Sequence, residues 1–158
     1  MLARLRDFLD TVAGSTSTAS VAANPESLVR VAVAALLVEI ARADFDEQAT
    51  EDVAITSLLA RYFGLEVEAA EALLSDARTA VDDAVSLRQF TAPLHTNLSY
   101  ADKLKIVGML WDVALEDRRL DKYEDYMIGK IADLLYVSRG DVIRLRHDAS
   151  LRKNPAET

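Results

Sequence analysis

Residues 37–63 read LVEIARADFDEQATEDVAITSLLARYF, and residues 110–136 read LWDVALEDRRLDKYEDYMIGKIADLLY. The two stretches lie over each other at an offset of 73 residues with no gap. Six of the 27 positions are identical: Leu37/Leu110, Ala41/Ala114, Asp44/Asp117, Glu51/Glu124, Asp52/Asp125 and Ile55/Ile128. Glu39 also lies over Asp112 and keeps its charge. Matches of Ala and Leu arise easily in a helical sequence, so the repeated acids carry the comparison. Two copies of one helix-turn-helix unit, packed as pseudo-two-fold halves, is the organisation this repeat predicts. Two copies are too few for a solenoid, so the expected architecture is a compact bundle.

Start and stop signals around the repeat set the remaining elements. Asn24-Pro25-Glu26 supplies a capping Asn, a proline at the first helical position and an acid in the first turn. The helix that follows is expected to run to about Ala43. A second spans roughly Glu47 to Tyr62, closed by Phe63-Gly64, where glycine takes the left-handed conformation. A third covers Glu66 to about Val85, and a short fourth, Ser86 to Leu94, is expected to stop near Pro93. Ser99 caps the next helix, to about Glu116. Asp121-x-x-Glu124 opens another that continues to Tyr136, and Ser138-x-x-Asp141 opens a last one ending near His147. No stretch alternates as a strand with hairpin turn chemistry. The fold class is therefore all-α, in seven or eight helices.

Ahead of this domain, Met1 to Ala13 reads as a short amphipathic helix with Leu2, Leu5, Leu9 and Val12 on one stripe. Gly14 to Ala23 is rich in Ser, Thr and Ala and reads as a flexible linker. The expected domains are 1–23 as helix plus linker, 24–150 as the helical domain with halves of about 24–85 and 99–148, and 151–158 as a disordered tail. Asp7 and Asp10 among the leucines argue against a signal peptide, and no apolar run reaches the ~18 residues of a membrane span. The expected localisation is cytoplasmic.

A chain of 158 residues with 51% hydrophobic and 28% charged residues has enough apolar matter for one real core. It contains no cysteine, which excludes disulfides, thiolate metal sites and cysteine nucleophiles. The net charge of −8 is unevenly placed. Twelve acids against three bases lie between Glu39 and Asp83, whereas Arg139, Arg144, Arg146, Arg152 and Lys153 make the C-terminal end locally basic. An acidic field repels phosphate backbones, so nucleic acid is not an expected partner; cations and basic protein surfaces are.

Each half sets one carboxylate in an otherwise apolar helix. Glu39 is the only polar residue between Arg30 and Arg42, and Asp112 the only polar side chain between Lys105 and Glu116. Such a group needs a solvent stripe, a cationic partner or a metal. Asp44 and Asp117 close these helices, and Glu51 and Glu124 open the next ones, so oxygen ligands gather near two turns of the kind hard cations prefer. Neither turn is an EF-hand: the twelfth position is Ile55 in one and Ile128 in the other, and the turn glycine is missing. Helix capping is the competing explanation, since Asp121 and Glu124 fit a capping box and Asp46 is placed to cap the matching helix in the first half.

Other catalytic patterns are missing from the sequence. His95 and His147 have no second ligand at helical spacing, no Glu-x-x-His pair occurs, and the five glycines are scattered rather than grouped in a phosphate loop. Trp111 and Tyr136 read as core anchors.

The stretch from Leu110 to Asp125, followed by Ile131 to Ser138, resembles the TerB-like tellurite-resistance family. Ala35 to Asp44 is similar to the same family's earlier motif, and with Met1 to Leu9 the resemblance covers most of the chain. It implies an all-helical, internally duplicated domain with clustered acids that bind a divalent cation such as calcium, magnesium or zinc. The acids carried over are Glu39, Asp44, Glu51, Asp112, Asp117, Asp121 and Glu124. The family's Ala-Asp-Gly turn reads Ala43-Asp44-Phe45 and Glu116-Asp117-Arg118 here, and Gln48 stands where the second half has Asp121. The resemblance further implies a non-enzymatic adaptor in metal or tellurite stress, with protein partners or a homodimer and membrane association only through a partner. The competing expectation is a metal-free interaction domain that uses its acidic face and N-terminal helix.

Overall fold

A computed structural model describes residues 25–43, 49–116 and 122–153, with backbone alone at 25, 49–51 and 122. Among them are seven helices and no strand: α1 Pro25–Ala43, α2 Ala49–Phe63, α3 Val67–Asp83, α4 Arg88–Asn97, α5 Tyr100–Ala114, α6 Lys122–Leu134 and α7 Arg139–Lys153. The expected helix at 1–13, the linker and the two junctions 44–48 and 117–121 lie outside the described residues.

The sequence of α1 explains its central place. Residues 32–38 are all buried, together with Leu28, Ile40, Ala41 and Ala43. A helix apolar on every side must be surrounded, and α1 packs against α2, α3, α4, α5 and α6. Its alanines lack bulk, which lets these neighbours approach closely. The most extensive pairings are α1 with α3 and α5 with α7. The core between them includes Trp111, Phe90, Leu36, Leu37, Ile55, Leu59, Leu110 and Ile128, all at 2% exposure or less.

Helix ends follow the local chemistry. Ser99 caps α5, its hydroxyl accepting from the amide of Asp102 at 3.2 Å. Ser138 does the same for Asp141 at the start of α7, also at 3.2 Å. The two caps are joined: the Tyr100 hydroxyl donates to Asp141 at 2.6 Å and accepts from the amide of Ser138 at 3.1 Å. Gly64 closes α2 at φ +65, with the Leu65 amide donating to the Ala60 carbonyl at 2.9 Å. At the corresponding end of α6 the left-handed residue is Tyr136, φ 62, and the Val137 amide reaches the Ala132 carbonyl at 2.9 Å.

Three expectations are corrected. Pro93 does not stop α4 but lies inside it, buried beside Phe90 and Leu94. An internal proline costs about 3 kcal/mol, while burying Phe90 and Leu94 contributes about 1.5–3 kcal/mol each, so packing prevails; the Asn97 side chain also donates to the Pro93 carbonyl at 2.7 Å. The last helix does not end near His147 but reaches Lys153, because buried Ala149 and the ion pairs of Arg152 and Lys153 bind its final turns to α5. Tyr136 is no core anchor: it is 68% exposed, since its left-handed backbone turns the side chain out, and its ring lies 4.3 Å from that of His95. Trp111 behaves as expected, buried, with its indole nitrogen donating to the Val142 carbonyl at 3.2 Å.

Candidate functional site

The acids singled out by the sequence occupy unlike environments. Glu39, on α1, is half-buried; burial pushes its carboxyl above the ordinary range, and the charge of Arg42 partly offsets that. Arg42 itself is bonded to Asp82 of α3 at 2.6 Å. Asp112, on α5, keeps 16% side-chain exposure and accepts from Arg152 of α7 at 2.8 Å. Glu124, three residues into α6, is 2% exposed and is not without a partner. Asp44, Asp117 and Asp121 lie outside the described residues, as does the side chain of Glu51. No three His, Asp or Glu among the described residues come together as a set able to hold a metal ion. Of the described members of the proposed set, Asp112 is bonded to a guanidinium.

Asp112 borders a concave surface. A cleft of about 590 Å³ is lined on one side by Ala54, Ser57, Leu58 and Arg61 of α2, and on the other by Asp112, Glu116, Arg152 and Lys153. It continues, through the shared residues Leu58, Arg61, Asp112 and Arg152, into a second hollow of about 440 Å³ bounded by Leu104, Lys105, Met109, Arg144 and Leu145. The lining residues of α5, from Leu104 to Asp112, recur at helical spacing, so the trough follows that helix, with Glu116 just beyond its end. On the side away from α2, Lys153 bonds Glu116. Exposed Arg61 and Lys105 form no ion pair among the described residues.

A further hollow of about 810 Å³ lies between α2 and α3; it shares Val53, Ser57 and Arg61 with the first cleft and adds Ala60, Val67 and Leu74 together with Asp52, Glu71 and Arg78. Along α3, Glu68, Glu71, Asp76 and Asp83 are exposed, as is Glu66 at its N-cap. The acidic and cationic surfaces thus belong to different helices.

Residues 30–147 match the model of tellurite resistance protein TerB. The chain belongs to the TerB family. No curated protein and no solved structure matches it. The matched span runs from the second turn of α1 into the middle of α7, so the trough between α2, α5 and α7 lies almost wholly inside the TerB domain. Among the described residues no helix is long and apolar enough to cross a membrane.

Reasoning from the sequence missed this trough, because Arg61, Lys105 and Arg144 are far apart along the chain. One signal was visible: the basic cluster after Arg139. Placing it required the contact of α7 with α5.

Proposed function

We propose that this TerB-family chain is a non-enzymatic binding domain, an adaptor for protein partners in a metal or tellurite stress response. The observation that carries the reading is the separation of charge on one bundle. Exposed acids follow α3, while a cationic trough follows α5, and surfaces of opposite potential favour partners of stated charge and suppress others. The acidic face suits a basic protein surface. The test is capture of partners by the immobilised full chain from cells grown with and without tellurite, against the Glu68→Lys/Glu71→Lys/Asp76→Lys variant. The expected result is a reproducible bound set that the variant loses. Equal capture by both forms would reject the acidic face as a binding surface.

The second reading is a divalent cation held at the helix junctions. It is favoured by the raised pKa of Glu39, whose partly desolvated carboxylate a cation would relieve. Because Asp112 is bonded to Arg152, such a site would depend on Asp44, Glu51, Asp117 and Asp121. Thermal unfolding with calcium, magnesium, zinc or manganese tests it, since selective binding to the folded chain raises the midpoint. No rise with any of the four would retire this reading and leave the metal-free domain.

A further inference from the structure

We propose that the trough between α2, α5 and α7 is the docking site for an acidic amphipathic helix of a partner protein. This rests on the adaptor reading and specifies the chemistry of one partner.

The floor and the rim differ in kind. Leu58, Leu104, Met109 and Leu145 supply apolar surface, and Gly108 adds no side chain between them. Around them stand Arg61, Lys105, Arg144, Arg152 and Lys153, against only Asp112 and Glu116. The lining therefore has a net positive charge in a chain of net charge −8. Arg152 and Lys153 are held by the two acids, and Arg144 by Asp141 and Asp148 of its own helix. Arg61 and Lys105, one on each wall, are left with no ion pair among the described residues and are the charges open to an incoming carboxylate.

Shape selects a helix. The α5 wall from Leu104 to Asp112 spans about 12 Å at ~1.5 Å per residue, or about two turns, and Glu116 extends it just past the helix end. The α2 wall is a matching stripe, with Ala54, Leu58, Arg61 and Tyr62 at helical spacing. A helix laid in such a trough places an apolar stripe on the floor and its flanking acids on the rim, which is the helix-in-groove mode of recognition. A nucleic acid would meet the acidic field of the rest of the chain and has little to offer an apolar floor. A flat bilayer cannot reach the floor of a concave trough.

Two fluorescent probe peptides of about five turns test this, sharing a leucine stripe and bearing either Glu or Lys at every other position. Anisotropy is measured with the full chain at about 50 mM and about 300 mM salt. The Glu probe is expected to bind, more weakly at the higher salt, and the Lys probe not to bind. The Arg61→Glu/Lys105→Glu variant is expected to lose at least about tenfold in affinity. Both side chains are exposed, so its thermal midpoint checks folding, and Arg61→Gln/Lys105→Gln serves if the reversal unfolds the chain.

Failure of the Glu probe to bind, or equal binding by the variants, overturns the proposal. So does displacement of the Glu probe by a single-stranded oligonucleotide or by phosphatidylglycerol vesicles, which would assign the trough to phosphates. A salt-sensitive dimer that the variants dissolve would assign it to a second copy instead. None of these outcomes touches the capture experiment on α3, so the adaptor reading stands or falls separately.

Discussion

Asp112 and Glu39 occupy the same place in the internal repeat and meet different fates. Asp112 is 16% exposed and bonded to Arg152, which is itself 53% exposed, so removing the arginine strands a partly desolvated carboxylate, whereas removing the acid leaves an arginine that water reaches. Asp112→Asn and Arg152→Gln are each expected to cost up to about 1 kcal/mol in urea unfolding, and the double variant less than their sum. Additive losses would show that the pair is not coupled. Glu39 has a folded pKa raised above 4.5 by burial, so its carboxylate opposes folding at neutral pH. The sign follows directly: the contribution of Glu39 is most favourable below pH 4.5 and is lost as pH rises through the folded value. Glu39→Gln should therefore unfold at a higher temperature than the natural chain at pH 7, and the difference should shrink as pH falls to about 4. A variant less stable at pH 7 would mean that Glu39 has a cationic partner strong enough to outweigh its burial.

Which helices form was legible because their ends are written in short-range chemistry. Ser99, Ser138 and Gly64 act in the structure as their residue types require. Pro93, the length of α7 and the exposure of Tyr136 were not legible, because each is decided by contacts between distant segments: the packing of Phe90 and Leu94, the ion pairs across to α5, and the turn after α6. The same is true of the trough, whose walls come from three helices. Of the acids read from the sequence, Asp112 has the kind of cationic partner that its place in an apolar helix calls for, but spacing could not name it, since Arg152 lies 40 residues on. The two matching helix closures give a direct comparison of glycine with a side chain at left-handed backbone. Nothing lies within 4 Å of a Cβ built on Gly64, so Gly64→Ala tests backbone strain alone and is expected to cost about 1 kcal/mol. Tyr136→Gly removes that strain but also the contact with His95, so it should gain less than Gly64→Ala loses. Urea midpoints of the two variants check this; a neutral Gly64→Ala would mean that α2 closes through some other conformation.

At the scale of the whole molecule, the charge distribution sets stability against interaction. Between Glu39 and Asp83 the acids outnumber the bases by nine. Only two ion pairs are made there, Arg42 with Asp82 and Arg78 with Asp52, among the described residues. Glu68 and Glu71 are three residues apart on one exposed helix, a like-charge spacing that costs a few tenths of a kcal/mol. Most ion pairs elsewhere are exposed on at least one side, and such pairs contribute about 0–1 kcal/mol each. Added salt screens both repulsion and attraction over about 10 Å at 0.1 M. With net charge −8 and a crowded α3, the lost repulsion outweighs the lost pairs. The thermal midpoint is thus expected to rise by a few degrees between about 20 and 200 mM sodium chloride. Glu68→Gln/Glu71→Gln/Asp76→Asn should start from a higher midpoint and respond less to salt, because the repulsion has been removed from the same helix. A midpoint that falls with salt in the natural chain would mean that the ion pairs of α5 and α7, Asp112 with Arg152 and Glu116 with Lys153, hold the bundle together more strongly than α3 drives it apart.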